Sequence, residues 1–139
     1  MNIIDLFSGI GGMRLAVEQS ANQFNMDAET LFSCDINKKS EETYKMNFSA
    51  DNFHGDIRSI PNNYLKNIAT NHDLLIAGFP CPPFSLAGVV KRNSLNQKHG
   101  FEDIEGNLFP DIINVLRETR PRAFLLENVA YLKSHNKGE

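Results

Sequence analysis

Short apolar runs alternate with amphipathic segments along this chain, and this order restricts the fold more than any other feature. Runs that predict strands lie at 2–7, 29–34, 73–77 and 123–126, and a brief extended piece precedes Gly55. Apolar residues at helical spacing lie at 13–20, 38–48 and 108–120. Runs that are apolar throughout are typical of parallel strands covered on both faces. The sequence therefore predicts an α/β fold built on a doubly wound, mostly parallel sheet.

Composition narrows the class of protein further. The chain has 139 residues, 41% of them hydrophobic, and a net charge of −3, which is typical of one globular domain and not of a stand-alone nucleic-acid binder. No apolar run approaches the ~20 residues that span a bilayer, and the N-terminus has no basic signal-peptide region. We therefore expect a cytoplasmic protein with no membrane partner. The two cysteines, Cys34 and Cys81, form no CxxC and have no His pair at ligand spacing, so no metal site is predicted.

A glycine turn follows the first predicted strand. Gly9, Gly11 and Gly12 precede a helix, but Arg14 stands where the dinucleotide fingerprint needs a third glycine, and there is no Walker lysine. What remains is a nucleoside-type site. Asp35, after the second strand, is placed to accept hydrogen bonds from ribose hydroxyls, and Asp56 to accept them from an adenine amine. The alternative for either aspartate is a helix cap or a turn.

The most informative segment is GFPCPPFS at 78–85. Three prolines restrict the backbone around Cys81. A rigid backbone holds a side chain in a fixed position, which a nucleophile needs and a core residue does not. The alternative is a small buried hydrophobe, which is our expectation for Cys34. The loop that follows is the most basic part of the chain. It predicts either a mobile lid that meets phosphates or a solvated surface loop.

Glu127 follows the run at 123–126, which we expect to be a buried strand. A carboxyl group there would lie among apolar side chains at the opening of the site, where burial raises its pKa and makes it a proton donor. The alternative is an ordinary cap.

Together these segments resemble the C5-cytosine DNA methyltransferase family. DLFSGIGG at 5–12 is similar to its S-adenosyl-L-methionine turn, GFPCPPFS at 78–85 to its nucleophile motif, and ENV at 127–129 to its glutamate motif. The segment from Phe101 to Phe109 resembles the part that follows its mobile loop. The resemblance implies a Rossmann-like methyltransferase fold, incomplete at its C-terminal side. Residues 1–139 would be the N-terminal portion of the cofactor-binding catalytic domain, without the target-recognition domain.

The resemblance also implies roles for single residues. Cys81 would add to C6 of a cytosine flipped out of double-stranded DNA, and Glu127 would hold the ring at N3. The cofactor, S-adenosyl-L-methionine, would be held by Phe7, Gly9, Ile10, Asp35, Ile36, Asp56, Ile57, Pro80 and Leu108. Residues on the substrate and lid side would be Ser85, Lys91, Arg92, Lys98 and Asn128.

Two departures from the family pattern bear on activity. Pro82 stands where the family usually has Gln, and the resemblance implies that the family's later arginine motif and target-recognition domain lie outside residues 1–139. We therefore expect DNA methylation of the restriction-modification type only with a missing C-terminal half or a complementing chain, and self-association through an exposed sheet edge. Alternatives are the cofactor-binding half of a split enzyme, an amino-methyltransferase acting on N4-cytosine or N6-adenine, and a tRNA cytosine-5 methyltransferase.

Overall fold

The structure, a computed structural model, describes residues 1–49, 52–68, 71–80 and 108–129. The sequence prediction for Cys81, Ser85, Lys91, Arg92 and Lys98 lies outside these residues. The elements in chain order are β1 (Asn2–Leu6), α1 (Gly12–Gln23), β2 (Glu29–Cys34), α2 (Lys38–Asn47), β3 (Phe53–His54), a 3-10 turn (Ile57–Ser59), α3 (Asn62–Ile68), β4 (Leu74–Gly78), α4 (Leu108–Thr119) and β5 (Ala123–Glu127).

The described strands form one parallel sheet in the order β3-β2-β1-β4-β5. The chain runs outward from β1 in one direction through β2 and β3, and then returns to place β4 on the other side of β1. This arrangement confirms the predicted doubly wound α/β fold. The reversal falls between β1 and β4, and ligands of such sheets bind beside it, at the carboxyl ends of the strands.

One face of the sheet carries the apolar core. Side chains of β1, β2 and β4 pack there against α3, α4 and the 3-10 turn, and the fully buried members include Ile4, Phe32, Leu75 and Ile112. Cys34 belongs to this cluster and is 1% exposed, which confirms its predicted packing role. Burial raises the pKa of the Cys34 thiol to about 12.

The opposite face carries a polar cluster that the sequence analysis did not predict. The Tyr44 hydroxyl of α2 donates to the Asp5 carboxylate of β1 at 3.1 Å and lies 2.6 Å from the Ser33 hydroxyl of β2. The Arg14 guanidinium of α1 donates to the same Tyr44 oxygen at 3.2 Å and to Glu18 at 2.6 Å. These contacts join two strands and two helices through one hydroxyl group. A buried network of this kind stabilises a fold only when each member is satisfied.

The β5 strand differs from its prediction. The run at 123–126 was expected to be buried, but Phe124 is 60% exposed and Leu125 is 52% exposed. The prediction is wrong because β5 pairs only with β4 among the described strands, so these side chains point to both faces of an uncovered edge. Within the described residues, no helix is long and apolar enough to cross a membrane.

The buried Asp5 carboxyl makes stability depend on pH. Asp5 is 1% exposed, and this burial raises the pKa of its carboxyl group from 3.8 to about 7. The hydrogen bond from Tyr44 and the positive charge of Arg14 lower the pKa, but their effect is smaller. The folded protein therefore holds a proton between about pH 4 and pH 7 that the unfolded chain releases. Relative to Asp5→Asn, the wild-type free energy of unfolding should fall through this window, by on the order of 1 to 4 kcal/mol.

Urea unfolding at about pH 5 and about pH 7.5 measures this difference. The comparison with Asp5→Asn is needed because burial lowers the pKa of His54 and His72, which gives a slope of opposite sign. Asp27→Asn, at an exposed carboxylate, is the matched control and should keep the wild-type slope. Identical pH dependence of wild type and Asp5→Asn would contradict the assignment.

Candidate active site

A cleft of about 390 Å³ opens at the carboxyl ends of the strands, beside the point where the sheet reverses. Its lining comes from the ends of β1, β2 and β4, from the 3-10 turn and from the start of α4. The lining residues are Phe7, Cys34, Asp35, Ile36, Gly55, Asp56, Ile57, Arg58, Gly78, Pro80 and Leu108. Most of this surface is apolar, with carboxylates on one side, which suits a flat ring that carries polar groups on its edge.

The glycine turn after β1 is held in an unusual backbone conformation. Phe7, Gly9 and Gly11 have φ values of 54°, 55° and 93°, all in the left-handed region. Phe7 is the residue for which this region is strained, at a cost of about 1 to 2 kcal/mol. The strain is offset locally because the Ser8 N–H donates to the Cys34 carbonyl at 3.0 Å. Strained residues of this kind cluster where a ligand approaches the backbone.

Asp35 joins the glycine turn to the end of β2. Its Oδ2 accepts the Gly9 N–H at 2.8 Å, and its Oδ1 accepts the Asn37 N–H at 2.8 Å. Asn37, not Asp35, caps α2 by accepting from Lys39 and Ser40. An ionised carboxylate has about four acceptor positions, so Asp35 keeps capacity for a ligand hydroxyl. The residue therefore has a structural role in the turn and faces the cleft as well.

Asp56 also lines the cleft, and it caps the 3-10 turn. Its Oδ1 accepts the Arg58 N–H at 3.0 Å, and the Arg58 guanidinium donates to Oδ2 at 2.7 Å. The hydrogen bonds from Arg58 hold the pKa of the Asp56 carboxyl below its usual value. Asp56 therefore remains ionised and can accept hydrogen bonds. It also caps the 3-10 turn, which is the alternative role that the sequence left open for it.

The cleft brings together most of the residues predicted to hold a cofactor. Seven of them line it: Phe7, Asp35, Ile36, Asp56, Ile57, Pro80 and Leu108. Gly9 and Ile10 are not among the lining residues; the Gly9 N–H is taken by Asp35, and Ile10 is 63% exposed. The structure adds Cys34, Gly55, Arg58 and Gly78, of which Arg58 could have been found from its spacing of two residues from Asp56.

Glu127 ends β5 next to the cleft. It pairs with Gly78, and its Oε2 lies 3.6 Å from where a Cβ on Gly78 would be. Within the described residues the Glu127 side chain is exposed, because β5 pairs only with β4 there, and its predicted apolar surroundings stay a prediction. The next residue, Asn128, donates from Nδ2 to the Phe79 carbonyl at 3.0 Å.

The fold and cleft define a doubly wound α/β protein with a candidate ligand cleft at its topological switch. The family model for C-5 cytosine-specific DNA methylase matches residues 1–139. The chain belongs to this family. This membership favours the resemblance to the C5-cytosine family over the resemblance to amino-methyltransferases, and the family implies use of a methyl donor of the S-adenosyl-L-methionine type.

Individual relatives agree with this assignment. The chain is 43% identical to a protein named Type II methyltransferase M.BanI from Aneurinibacillus aneurinilyticus, over 99% of this chain and 29% of that protein. It is 46% identical to Type II methyltransferase M1.ScrFI from Lactococcus lactis subsp. cremoris, over 98% of this chain and 30% of that protein. The S. pombe Dnmt2 methyltransferase structure shares the fold, with a TM-score of 0.65 at 24% identity, over 96% of this chain and 36% of that one.

Two adjacent glycines in the turn should respond differently to alanine. A Cβ at Gly11 would overlap the Phe48 ring, and its φ of 93° is unfavourable for an L-residue. A Cβ at Gly12 meets nothing within 4 Å, at the first position of α1. Gly11→Ala should lower the free energy of unfolding by about 2 kcal/mol or more. Gly12→Ala should leave it unchanged or raise it by up to about 1 kcal/mol.

Urea denaturation of the two variants measures both changes under one set of conditions. Gly12→Ala controls for the loss of a glycine from the turn, so the difference reports the combined cost of the positive φ and the Phe48 contact at Gly11. Equal stability of the two variants would show that the Phe48 ring does not constrain Gly11.

Proposed function

We propose that this chain is the N-terminal, cofactor-binding portion of a DNA (cytosine-5)-methyltransferase. The observation that carries the proposal is the cleft at the switch of the sheet, in a chain of this family, with seven predicted cofactor residues on its walls. The chain spans between 29% and 38% of the length of the curated relatives it matches. Methylation of DNA, as in a cytoplasmic restriction-modification system, is therefore proposed for the chain together with a C-terminal part.

The residues of the cleft fit S-adenosyl-L-methionine. Asp35 offers acceptor positions for ribose hydroxyls, and Asp56 offers a carboxylate for an adenine amine. Apolar side chains of Ile36, Ile57 and Leu108 suit the faces of the adenine ring. When bound, this cofactor supplies an electrophilic methyl group. The missing third glycine at Arg14 and the absence of a Walker lysine disfavour a pyrophosphate ligand.

The chemistry on cytosine falls to Cys81 and Glu127. The Cys81 thiolate would form a bond to C6 of cytosine as the electron pair of the C5–C6 double bond moves to C5. C5 would then take the methyl group, and the electron pair of the broken methyl–sulfur bond would stay on the cofactor sulfur, which leaves as a neutral thioether. Glu127 stabilises the ring at N3 while this charge develops. A base then removes the C5 proton, the electron pair re-forms the double bond, and the thiolate leaves. Cytosine must be flipped out of the duplex for this geometry.

The basic segment after Cys81 is proposed to close over the flipped base. Lys91, Arg92 and Lys98 would meet phosphates, and Ser85 would lie on the substrate side. The proposal rests on sequence and family membership. It explains how a chain with a net charge of −3 contributes to DNA binding.

The C-terminal half, in the same polypeptide or as a complementing chain, is the proposed cover for the open side of the sheet, and self-association through this edge is proposed for the chain alone. An apolar groove of about 430 Å³ lies between α1 and the β4–β5 edge, and includes Met13, Phe24, Leu74 and Leu125. Uncovered strands and apolar surface of this size favour association. Sedimentation at rising concentration tests self-association, and a monomer throughout would leave a complementing chain as the proposed cover.

Cofactor binding by the chain itself tests the first part of this proposal. We expect weak binding of S-adenosyl-L-methionine, with a Kd between about 10 μM and 1 mM, and no methylation of DNA by the chain alone. Asp35→Ala should weaken binding about 5- to 10-fold, because one lost ligand hydrogen bond contributes about 1 kcal/mol. Titration calorimetry measures both, with Asp27→Ala as the control that keeps wild-type affinity. Absence of binding at millimolar cofactor, or preference for NAD, would contradict the assignment.

Covalent trapping tests the second part. Here "complete enzyme" means residues 1–139 of this chain supplied with the C-terminal remainder, either in one polypeptide or as a complementing chain. With cofactor and DNA containing 5-fluorocytosine, the complete enzyme should form a covalent adduct, because the fluorine cannot leave C5 as a proton does. Denaturing electrophoresis detects the adduct. Cys34→Ser should retain it and Cys81→Ser should lose it; an adduct that persists in Cys81→Ser would disprove the role of Cys81.

A further inference from the structure

Asn128 lies directly after β5, and both ends of its side-chain amide are engaged by backbone. Its Nδ2 donates to the Phe79 carbonyl at 3.0 Å, and its Oδ1 accepts the Val129 N–H at 2.8 Å. The side chain is partly buried at this contact. One N–H of the amide is not used in these two bonds, so the role on the substrate and lid side stays a prediction, and the structure adds a contact with backbone that the sequence did not indicate.

The contact with Phe79 continues the link between two strands beyond the end of their ladder. The last paired residues of β4 and β5 are Gly78 and Glu127. Phe79 and Asn128 are the next residues on either side, and the Asn128 side chain takes over where backbone pairing ends. Phe79 is itself fixed, because it is 5% exposed and its ring packs 5.8 Å from the ring of Phe109.

The two strand ends joined by this hydrogen bond lead to the two groups of the proposed chemistry. Glu127 directly precedes Asn128, and Cys81 follows Phe79 by two positions in the sequence, with Pro80 between them. Pro80 fixes its own φ, so the direction in which the chain leaves β4 depends on where the Phe79 carbonyl is held. Reacting groups that are misplaced by about 1 Å can lose about 100-fold in rate.

We propose that Asn128 is a positioning residue that locks the Phe79–Pro80 corner to the Glu127 end of β5. The two strand ends then form one rigid unit, which carries Glu127 and, one residue beyond Pro80 in the sequence, leads to Cys81. Asn128 does not touch cytosine in this role. The inference rests on the proposed function, because it takes Cys81 and Glu127 as the two groups that react with the ring.

Two substitutions of Asn128 distinguish the effect of losing the hydrogen bond to Phe79 from the effect of losing the whole side-chain amide. Asn128→Asp is nearly isosteric and keeps the acceptor for the Val129 N–H, but it places a carboxylate oxygen against the Phe79 carbonyl. Asn128→Ala removes both bonds. Asn114→Asp is the matched control, because Asn114 Nδ2 also donates across two elements, to Asn62 at 3.1 Å, on exposed helix surface away from the strand ends.

The first measurement is the rate of adduct formation with 5-fluorocytosine DNA by the complete enzyme at saturating cofactor. Both Asn128 variants should be slower by about 10- to 100-fold, with cofactor Kd within about 3-fold of wild type and Tm within about 3 °C. Asn114→Asp should match wild type. Rates within about 3-fold of wild type overturn the proposal. A parallel loss of cofactor affinity and Tm also overturns it, because that pattern indicates a merely structural role.

A second measurement remains decisive if the wild-type enzyme forms no adduct, a result that would contradict the proposed function itself. Amide hydrogen exchange of the chain alone should show about 10-fold faster exchange at 77–79 and 127–129 in Asn128→Asp, with β1 and β2 unchanged. This outcome supports the coupling of the two strand ends. Unchanged exchange at 77–79 overturns it, and faster exchange throughout the sheet overturns it as well.

Discussion

The hydroxyl group of Tyr44 is the contact on which the polar face of this sheet depends. It donates to Asp5 and lies within hydrogen-bonding distance of Ser33 and Arg14, so one oxygen atom joins β1, β2, α1 and α2. The centre of a parallel sheet normally carries apolar side chains on both faces. Here a carboxyl group occupies that position, and it is tolerated because hydrogen bonding and the nearby guanidinium compensate for burial.

The candidate site depends on this arrangement through the glycine turn. The turn begins where β1 ends, one residue after Leu6, and α1 begins at Gly12, so its two ends are fixed by the strand and the helix that Asp5 and Arg14 hold together. Asp35 then joins the turn to β2, and the Phe48 ring packs against Gly11. The cleft is therefore shaped by backbone that is restrained from three directions. Such restraint is what a site needs to present preformed contacts to a ligand.

Much of the fold could be predicted from the sequence because strand and helix patterns are local. Glu29–Cys34 agrees with its prediction at both ends, and Asp35 and Asp56 face one cleft because the carboxyl ends of parallel strands share an edge. Exposure of β5 could not be predicted in this way, because an apolar run does not reveal whether a neighbouring strand follows. The Tyr44 network was also missed, although Asp5 inside an apolar run was a signal for a buried polar partner. The turn at Phe7 carries no signal, because a left-handed phenylalanine is disfavoured by its own side chain.

Arg14 has a consequence for how this lineage can change. It occupies the position where a dinucleotide-binding relative of the fold would have its third glycine, and its guanidinium reaches back to Tyr44 and Glu18 and lies 4.5 Å from the centre of the Phe48 ring. A single change to glycine would restore the fingerprint, but it would also remove the cation beside a buried carboxyl group and open the packing behind the turn. Arg14 therefore affects both the kind of ligand that the turn can accept and the stability of the fold. A drift from one cofactor class to the other would have to pass through an unstable intermediate, unless Asp5 or Tyr44 changed first.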